Sequence, residues 1–91
     1  MKKGKAALEE FLQHELEDYS QFEYEIFDET CEEDSECYRV EFSINGEYKN
    51  TVWFYYDLAK EILEVELGED NLEEVDNYSN RVRYFWMALL W

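Results

Sequence analysis

The sequence has no proline, three glycines, one histidine and two cysteines in 91 residues. No Ser-His or Cys-His spacing and no glycine-rich phosphate loop is present, so the residue combinations of nucleophilic catalysis and phosphate binding are lacking. His14, Cys31 and Cys37 would supply three metal ligands at most, without a C-x-x-C pair, and the Asp28 to Glu36 segment lacks the ligand spacing of an EF-hand. We therefore predict no enzyme activity, no cofactor and no dedicated metal site.

Long apolar runs are also missing. None approaches the roughly 18 residues that a membrane span requires. Glu9 and Glu10 interrupt the apolar segment that would follow the basic N-terminus of a signal peptide. These absences predict a cytoplasmic protein, in which Cys31 and Cys37 are reduced thiols. A small disulfide between them is the alternative in an oxidising environment.

Positive charge is scarce, with 8 Lys and Arg against 24 Asp and Glu and a formal net charge of −16. The 33 residues between Lys5 and Arg39 contain thirteen carboxylates and no Lys or Arg, and a second acidic block runs from Glu61 to Asp76. Acidic chains without aromatic residues are usually disordered. Here 46% of residues are hydrophobic and 19% aromatic, so we expect residues 1–91 to form a single compact acidic domain.

Hydrophobic periodicity predicts one helix and three strands in the first two thirds of the chain. Leu8, Leu12 and Leu16 follow helical spacing, which places a helix over Lys3 to Asp18. Alternation predicts strands from Phe22, from Tyr38 to Ile44 and from Tyr48 to Tyr56, with a charged loop over Asp28 to Glu36.

Asn45-Gly46 marks a hairpin between the second and third strands. A two-residue turn would pair Phe42 with Lys49 and mix the two faces of the sheet. A bulged turn with Gly46 in the left-handed conformation would instead pair Phe42 with Tyr48 and Glu41 with Lys49. We therefore predict the bulged turn.

The last third is predicted to be helical. Asp57 is placed to cap a helix from Leu58 to about Leu67, a short acidic helical turn follows at Asp70, and a further helix begins at Ser79. Residues 82–86 also have strand propensity, which leaves a fourth strand as an alternative. The predicted fold class is α+β: an N-terminal helix, a three-stranded antiparallel sheet and two C-terminal helices packed on one face.

The acidic blocks are the strongest indication of function. Carboxylates on alternate strand positions recur about every 6.6 Å, close to every second phosphate along one DNA strand. Such a row suits a partner with a basic, nucleic-acid-binding groove, whereas nucleic acid and anionic membranes themselves repel it. A solvated acidic face, or the acidity of a halophile's proteins, are the simpler alternatives.

Aromatic residues offer a second kind of contact. Trp53 and Tyr55 lie opposite in phase to the core face of the third strand, so they are candidate anchors for a partner. The last eight residues, 84–91, are apolar all round a helix, which makes a homodimer through this segment possible. The candidate partner-binding residues are Glu23, Glu25, Asp28, Glu29, Glu32, Glu33, Asp34, Glu36, Trp53, Tyr55, Glu69, Asp70, Glu73, Glu74 and Asp76.

Small size, acidity in blocks and many aromatic residues together resemble the DNA-mimic inhibitors of phages and mobile elements, such as anti-restriction and anti-CRISPR proteins. The likeness is one of composition and charge layout over the whole chain, without a family motif. It implies a non-enzymatic inhibitor that occupies the nucleic-acid channel of a nuclease effector in the host cytoplasm. An immunity protein or antitoxin against a basic nuclease toxin, and an acidic structural subunit, are the alternative functions.

Overall fold

One helix and five strands make up the described part of the chain. The structure is a computed structural model that describes residues 2–16, 22–66 and 72–75. The elements are α1 (Lys3–Glu15), β1 (Phe22–Glu29), β2 (Ser35–Ile44), β3 (Glu47–Asp57), β4 (Ile62–Glu66) and β5 (Leu72–Glu74). None of the described helices is long and apolar enough to cross a bilayer.

Helix α1 confirms the helical spacing read from the sequence. Leu8 and Leu12 are fully buried and Leu16 nearly so, and all three belong to the hydrophobic core. The helix begins at Lys3 as predicted but ends at Glu15, where the Leu16 N–H donates to the Leu12 carbonyl at 2.9 Å. Residues 17 and 18 lie outside the described residues.

The five strands form one antiparallel sheet in the order β1-β2-β3-β4-β5, each beside its neighbours in sequence. One face packs against α1 and forms the core, which buries the alternate residues Phe22, Tyr38, Val40, Phe42, Val52, Phe54, Tyr56, Leu63 and Val65. Because side chains alternate between faces, the remaining residues of each strand lie on the opposite side.

The hairpin between β2 and β3 forms with a different register from the predicted one. Ile44 pairs with Glu47, so Asn45 and Gly46 are a two-residue turn, and both have positive φ (51° and 86°), as a type I′ turn requires. The register then shifts, because Ser43 pairs with Tyr48 but Phe42 pairs with Asn50. The extra residue, Lys49, is a bulge within the strand. Beyond this bulge, residues that face the core on β2 are again opposite residues that face the core on β3. The predicted pairing of Phe42 with Tyr48 is wrong, because Phe42 pairs with Asn50.

The helix predicted from Leu58 to Leu67 is also wrong. The expected cap does form, since the Asp57 carboxylate accepts the N–H groups of Ala59 and Lys60 at 3.0 Å each. Glu61, however, has a φ of +56°, which ends the turn and reverses the chain. Residues 62–66 then pair with β3 as strand β4. Burial of Leu63 and Val65 in the core decides the competition in favour of the strand.

An acidic helical turn was expected to begin at Asp70, which lies outside the described residues, but residues 72–74 form strand β5, which pairs with β4. The predicted fold of three strands with two C-terminal helices packed on one face is therefore wrong, because five strands and only the N-terminal helix are found in the described residues. The predicted helix from Ser79, its strand alternative at 82–86 and the possible dimer segment lie outside the described residues.

Helix α1 is joined to the sheet at its first turn by Glu36. One oxygen, Oε1, of this carboxylate accepts the Gly4 N–H at 3.1 Å and the hydroxyl of Tyr38. Burial raises the pKa of the Tyr38 hydroxyl above its ordinary value, and the hydrogen bond to Glu36 adds to the rise. A Cβ on Gly4 would lie 2.5 Å from that Glu36 oxygen and 2.7 Å from Tyr56 Cβ, so only glycine fits this approach.

Candidate binding surface of the sheet

The face of the sheet opposite α1, which we call the open face, carries the candidate site. It is formed by the strand residues that alternate with the core residues: Glu23, Glu25, Phe27 and Glu29 on β1, Cys37, Arg39, Glu41 and Ser43 on β2, Thr51, Trp53 and Tyr55 on β3, and Ile62, Glu64 and Glu66 on β4. Six of these residues are glutamates, and the single cation among them is Arg39. The open face is therefore acidic and partly aromatic.

Carboxylates lie next to one another at the β1 edge of this face. Glu25 is directly opposite Glu41 in the register of β1 and β2, and Glu23 is opposite Ser43. Glu23 and Glu25 are exposed. Like charges directly opposite each other on one sheet face destabilise the strand pair. The fold thus keeps two facing carboxylates at a cost in stability.

Arg39 lies in the middle of the open face and is held by three groups. Its guanidinium carbon is 4.4 Å from the centre of the Phe27 ring, its Nε donates to Glu29 Oε1 at 2.9 Å, and its Nη1 donates to Glu41. The hydrogen bond to Glu29 is the main cause of a rise in the pKa of Arg39 above its ordinary value. Its side chain is 30% exposed. An aromatic ring and two carboxylates here form a complete site for a guanidinium.

Trp53 and Tyr55 continue the face on β3. Trp53 is the register partner of Arg39, and Tyr55 is opposite Cys37 on one side and Glu64 on the other. Both aromatic side chains are half-buried. Burial raises the pKa of the Tyr55 hydroxyl, and the charge of the Glu66 carboxylate adds to the rise. The predicted aromatic anchors and the β1 carboxylates therefore share one face of the sheet.

A short loop, residues 30–34, follows the open-face glutamates of β1. Glu32, Glu33 and Asp34 are exposed in it. The loop is tied by backbone hydrogen bonds from the Ser35 N–H to Glu32 and from the Leu58 N–H to Asp34, both at 3.0 Å. Its charges are therefore presented on a backbone that is restrained at its C-terminal end.

A disulfide between Cys31 and Cys37 closes this loop, so the prediction of reduced thiols is wrong. The strand pairing accounts for the bond. Cys37 is opposite Glu29, the last residue of β1, and the chain turns back two residues later at Cys31. The two Cα atoms are 5.6 Å apart, within the usual range for a disulfide. Spacing along the chain did not reveal that the hairpin brings the two together.

Two predicted site residues lie away from the open face. Asp28 alternates along β1 with the residues of the open face, so it belongs to the face that packs against the core. Its carboxylate forms an ion pair with Lys2 at 3.6 Å. Glu36 accepts hydrogen bonds from Gly4 and Tyr38 and joins the helix to the sheet, and its partner-binding role stays a prediction.

The second acidic block is only partly described. Glu73 and Glu74 belong to β5, where Glu74 is opposite Glu64 and Glu73 is opposite Val65. The predicted site residues Glu69, Asp70 and Asp76 lie outside the described residues. The backbone of Glu73 and Glu74 therefore lies at the edge of the described sheet that is opposite β1.

Three glutamates of the open face, Glu41, Glu64 and Glu66, were missed from the sequence. Alternation with Val40 and Phe42 indicated that Glu41 faces away from the core. Its position opposite Glu25, however, depends on the register between β1 and β2. Glu64 and Glu66 were assigned to a helix, which hid their alternation with Leu63 and Val65. Reading residues 62–66 with a period of two would have found them.

A cleft of about 300 Å³ lies on the other side of the sheet, between α1 and β4. Glu10, His14, Glu61 and Tyr56 line it together with the apolar Phe11 and Leu63, and Lys3 Nζ contacts the Glu61 carboxylate at 3.0 Å. Its described lining contains no Ser, Thr or Cys. In the part of the chain that the structure describes, no three His, Cys, Asp or Glu residues are grouped so as to hold a metal ion.

No protein-family model, curated protein or solved structure matches this chain.

Proposed function

We propose that this protein is a non-enzymatic inhibitor that binds the basic nucleic-acid-binding surface of another protein, with its carboxylates in the place of phosphates. The observation that carries the proposal is the facing pair Glu25 and Glu41 on the open face. A charge pair that costs folding energy is retained when the charge serves binding, and a basic groove is the surface that such charge fits.

The carboxylates form a track along β1. Glu23, Glu25 and Glu29 occupy alternate positions apart from Phe27, and the exposed acids Glu32 and Glu33 lie in the loop that follows the strand. From Glu23 to Glu29 the strand rises about 20 Å, which corresponds to about six phosphates of one DNA strand. The sheet holds the first part of the track rigid.

The loop adds charge that is already ordered. The Cys31–Cys37 disulfide and the backbone hydrogen bond from Leu58 to Asp34 restrain it before any partner arrives. Ordering a loop on binding reduces affinity, so a restrained loop binds at a lower entropic cost. This favours Glu32, Glu33 and Asp34 as contacts that a partner's Lys or Arg residues would meet.

The proposal places the protein in the cytoplasm of the cell whose nuclease or restriction effector it inhibits, with a phage or other mobile element as the source. Reducing systems in that compartment attack accessible disulfides. Cys37 is buried, at 7% exposed, which limits the approach of a thiolate to its sulfur. The protein is expected to bind no DNA or RNA, because phosphate and carboxylate repel.

The test begins with a tagged full-length protein incubated in host lysate. Retained proteins are eluted with duplex DNA and, in a parallel column, with polyglutamate at equal charge. We expect the column to retain at least one nucleic-acid-binding protein that duplex DNA elutes. The purified inhibitor should block the nuclease or DNA-binding activity of that protein. Retained proteins that DNA does not release, or tight binding of this protein itself to duplex DNA in a gel shift, would overturn it.

A charge-matched pair of variants then locates the contact. One variant carries Glu32→Gln, Glu33→Gln and Asp34→Asn in the loop. The control removes three charges elsewhere, through E9Q and E10Q on α1 and E47Q at the hairpin. We expect the loop variant to lose far more affinity for the captured target than the control. Binding of the unchanged protein should weaken steeply between 0.1 and 1 M salt, where the Debye length falls from about 10 to 3 Å.

A further inference from the structure

The contacts of Arg39 show how the open face holds a guanidinium. The cation stacks on Phe27 at 4.4 Å and donates to Glu29 and Glu41 on either side. A planar guanidinium uses both kinds of contact at once, because its face stacks on a ring while its edge donates several N–H groups. An ammonium group, by comparison, is a compact charge that is more strongly hydrated.

Groups of the same kind recur on the next two strands, where Trp53 is opposite Arg39 but the carboxylates have no ion pair among the described residues. Trp53 and Tyr55 supply aromatic rings, and Glu64 and Glu66 supply carboxylates, with Tyr55 directly opposite Glu64. Glu66 lies two residues beyond Glu64 on the same face of β4. Within residues 2–16, 22–66 and 72–75, no Lys or Arg lies within ion-pair distance of Glu64 or Glu66.

We infer that Trp53, Tyr55, Glu64 and Glu66 form an arginine-binding site on the open face, whose occupant is an arginine side chain of the inhibited protein. The inference rests on the proposed function and deepens it, since it names the residue type in the partner's basic groove. Charge complementarity selects a cation, and the paired rings and carboxylates select arginine over lysine.

The experiment uses two capped peptides as probes, hexa-arginine and hexalysine, with the full-length protein at 150 mM salt. Binding is followed by NMR through the indole N–H of Trp53 and the backbone amides of Glu64 and Glu66. We expect hexa-arginine to bind about two- to fivefold more tightly than hexalysine, the range of an exposed cation–π contact. The largest shifts should fall on the three reporter residues. Equal affinity for the two peptides, or shifts spread evenly over all exposed carboxylates, would overturn the inference.

Two variants and a matched control locate the preference. Trp53→Leu removes the ring beside Arg39, and Glu64→Gln removes one carboxylate without changing the shape of the side chain. Tyr48→Leu is the control, because Tyr48 is an aromatic residue of the same sheet that is 65% exposed near the hairpin turn. We expect the preference for hexa-arginine to vanish in the first two and to persist in the third. Loss of preference in Y48L to the same extent would contradict the site.

Three further outcomes separate this inference from others. If Trp53→Leu and Glu64→Gln inhibit the captured target as well as the unchanged protein does, the arginine site falls while the nucleic-acid mimic stands. If hexa-arginine binds as expected but no captured protein is released by DNA, the mimic falls and the arginine site stands. If replacing Arg81 and Arg83 by lysine raises the affinity for hexa-arginine, the chain's own arginines fill the site, and the inference is wrong.

Discussion

Glu25 and Glu41 are register partners on adjacent strands, so two carboxylates of the same sheet face lie directly opposite each other. Glu41 is partly neutralised by Arg39, whereas no ion pair of Glu25 occurs among the described residues. Glu25→Gln should therefore raise the free energy of unfolding by about 0.2–1 kcal/mol at low salt. Urea unfolding at low salt and again at 1 M NaCl measures the gain and its screening.

The control for this prediction is Glu23→Gln. Glu23 is on the same strand and face but lies opposite Ser43, so it lacks a facing carboxylate. We expect E23Q to raise the free energy of unfolding less than E25Q does at low salt. At 1 M NaCl the two variants should have similar effects. A larger gain from E23Q would mean that general charge repulsion, and not the facing pair, sets the cost.

Alkaline pH should weaken the junction between α1 and the sheet. The pKa of Tyr38 is raised in the folded state by burial and by its hydrogen bond to Glu36. The neutral hydroxyl therefore stabilises the fold fully below the unfolded pKa of about 10, and this contribution is lost as the pH rises above that value. Urea unfolding at pH 8, 9, 10 and 11 should show a decline that begins near pH 10.

Tyr38→Phe separates this decline from other alkaline effects. The phenylalanine variant should be less stable at pH 8, because Glu36 loses a donor, but its stability should fall less between pH 9 and 11. Lysine pairs such as Lys3–Glu61 are the same in both proteins and cancel in the comparison. Parallel curves for the two proteins would show that folding does not raise the pKa of Tyr38.

Reduction of the Cys31–Cys37 bond should cost about 2 kcal/mol of unfolding free energy, the chain-entropy expectation for so small a loop. The sequence separation of the two cysteines is only six. Thermal or urea unfolding with and without a phosphine reductant measures the loss. The double variant C31S/C37S should have the same unfolding free energy as the reduced protein, and the reductant should not change it. Equal stability of the oxidised and reduced forms would contradict the prediction.

Gly4→Ala should destabilise the protein by about 1–3 kcal/mol, although alanine is the better helix former. The added methyl would collide with Glu36 and with the Cβ and Cγ atoms of Tyr56, 2.7 and 2.8 Å away. Gln13→Ala, at an exposed position of the same helix, is the control and should be neutral or slightly stabilising. Comparable effects of both changes would show that the helix can shift away from the sheet.

Local periodicity predicted the elements whose pattern has one interpretation. Leu8, Leu12 and Leu16 fit only a helix, and the alternation around Val40 and Phe42 fits only a strand. Residues 62–66 fit both a strand and a helical turn, because Asp57 caps a real turn just before them. The choice is made by the core, where Leu63 and Val65 meet β3, and this contact between strands is not visible in the pattern of residues 62–66 alone.

The candidate site was predictable where it depended on the direction of side chains along one strand. Glu23, Glu25, Trp53 and Tyr55 share a face because each alternates with core residues of its own strand. The role of Glu36 was not predictable, since its two hydrogen-bond donors come from α1 and from its own strand. Nor was the disulfide, which depends on how the ends of β1 and β2 are aligned.

Strand β1 is the first strand of the described sheet and pairs on one side only, with β2. An edge strand presents unpaired backbone groups that can recruit another chain, and charged side chains are a common defence. Glu23, Glu25, Asp28 and Glu29 supply that defence on both faces of β1. The acidity that suits a basic partner therefore also keeps copies of this chain from adding to one another's sheets.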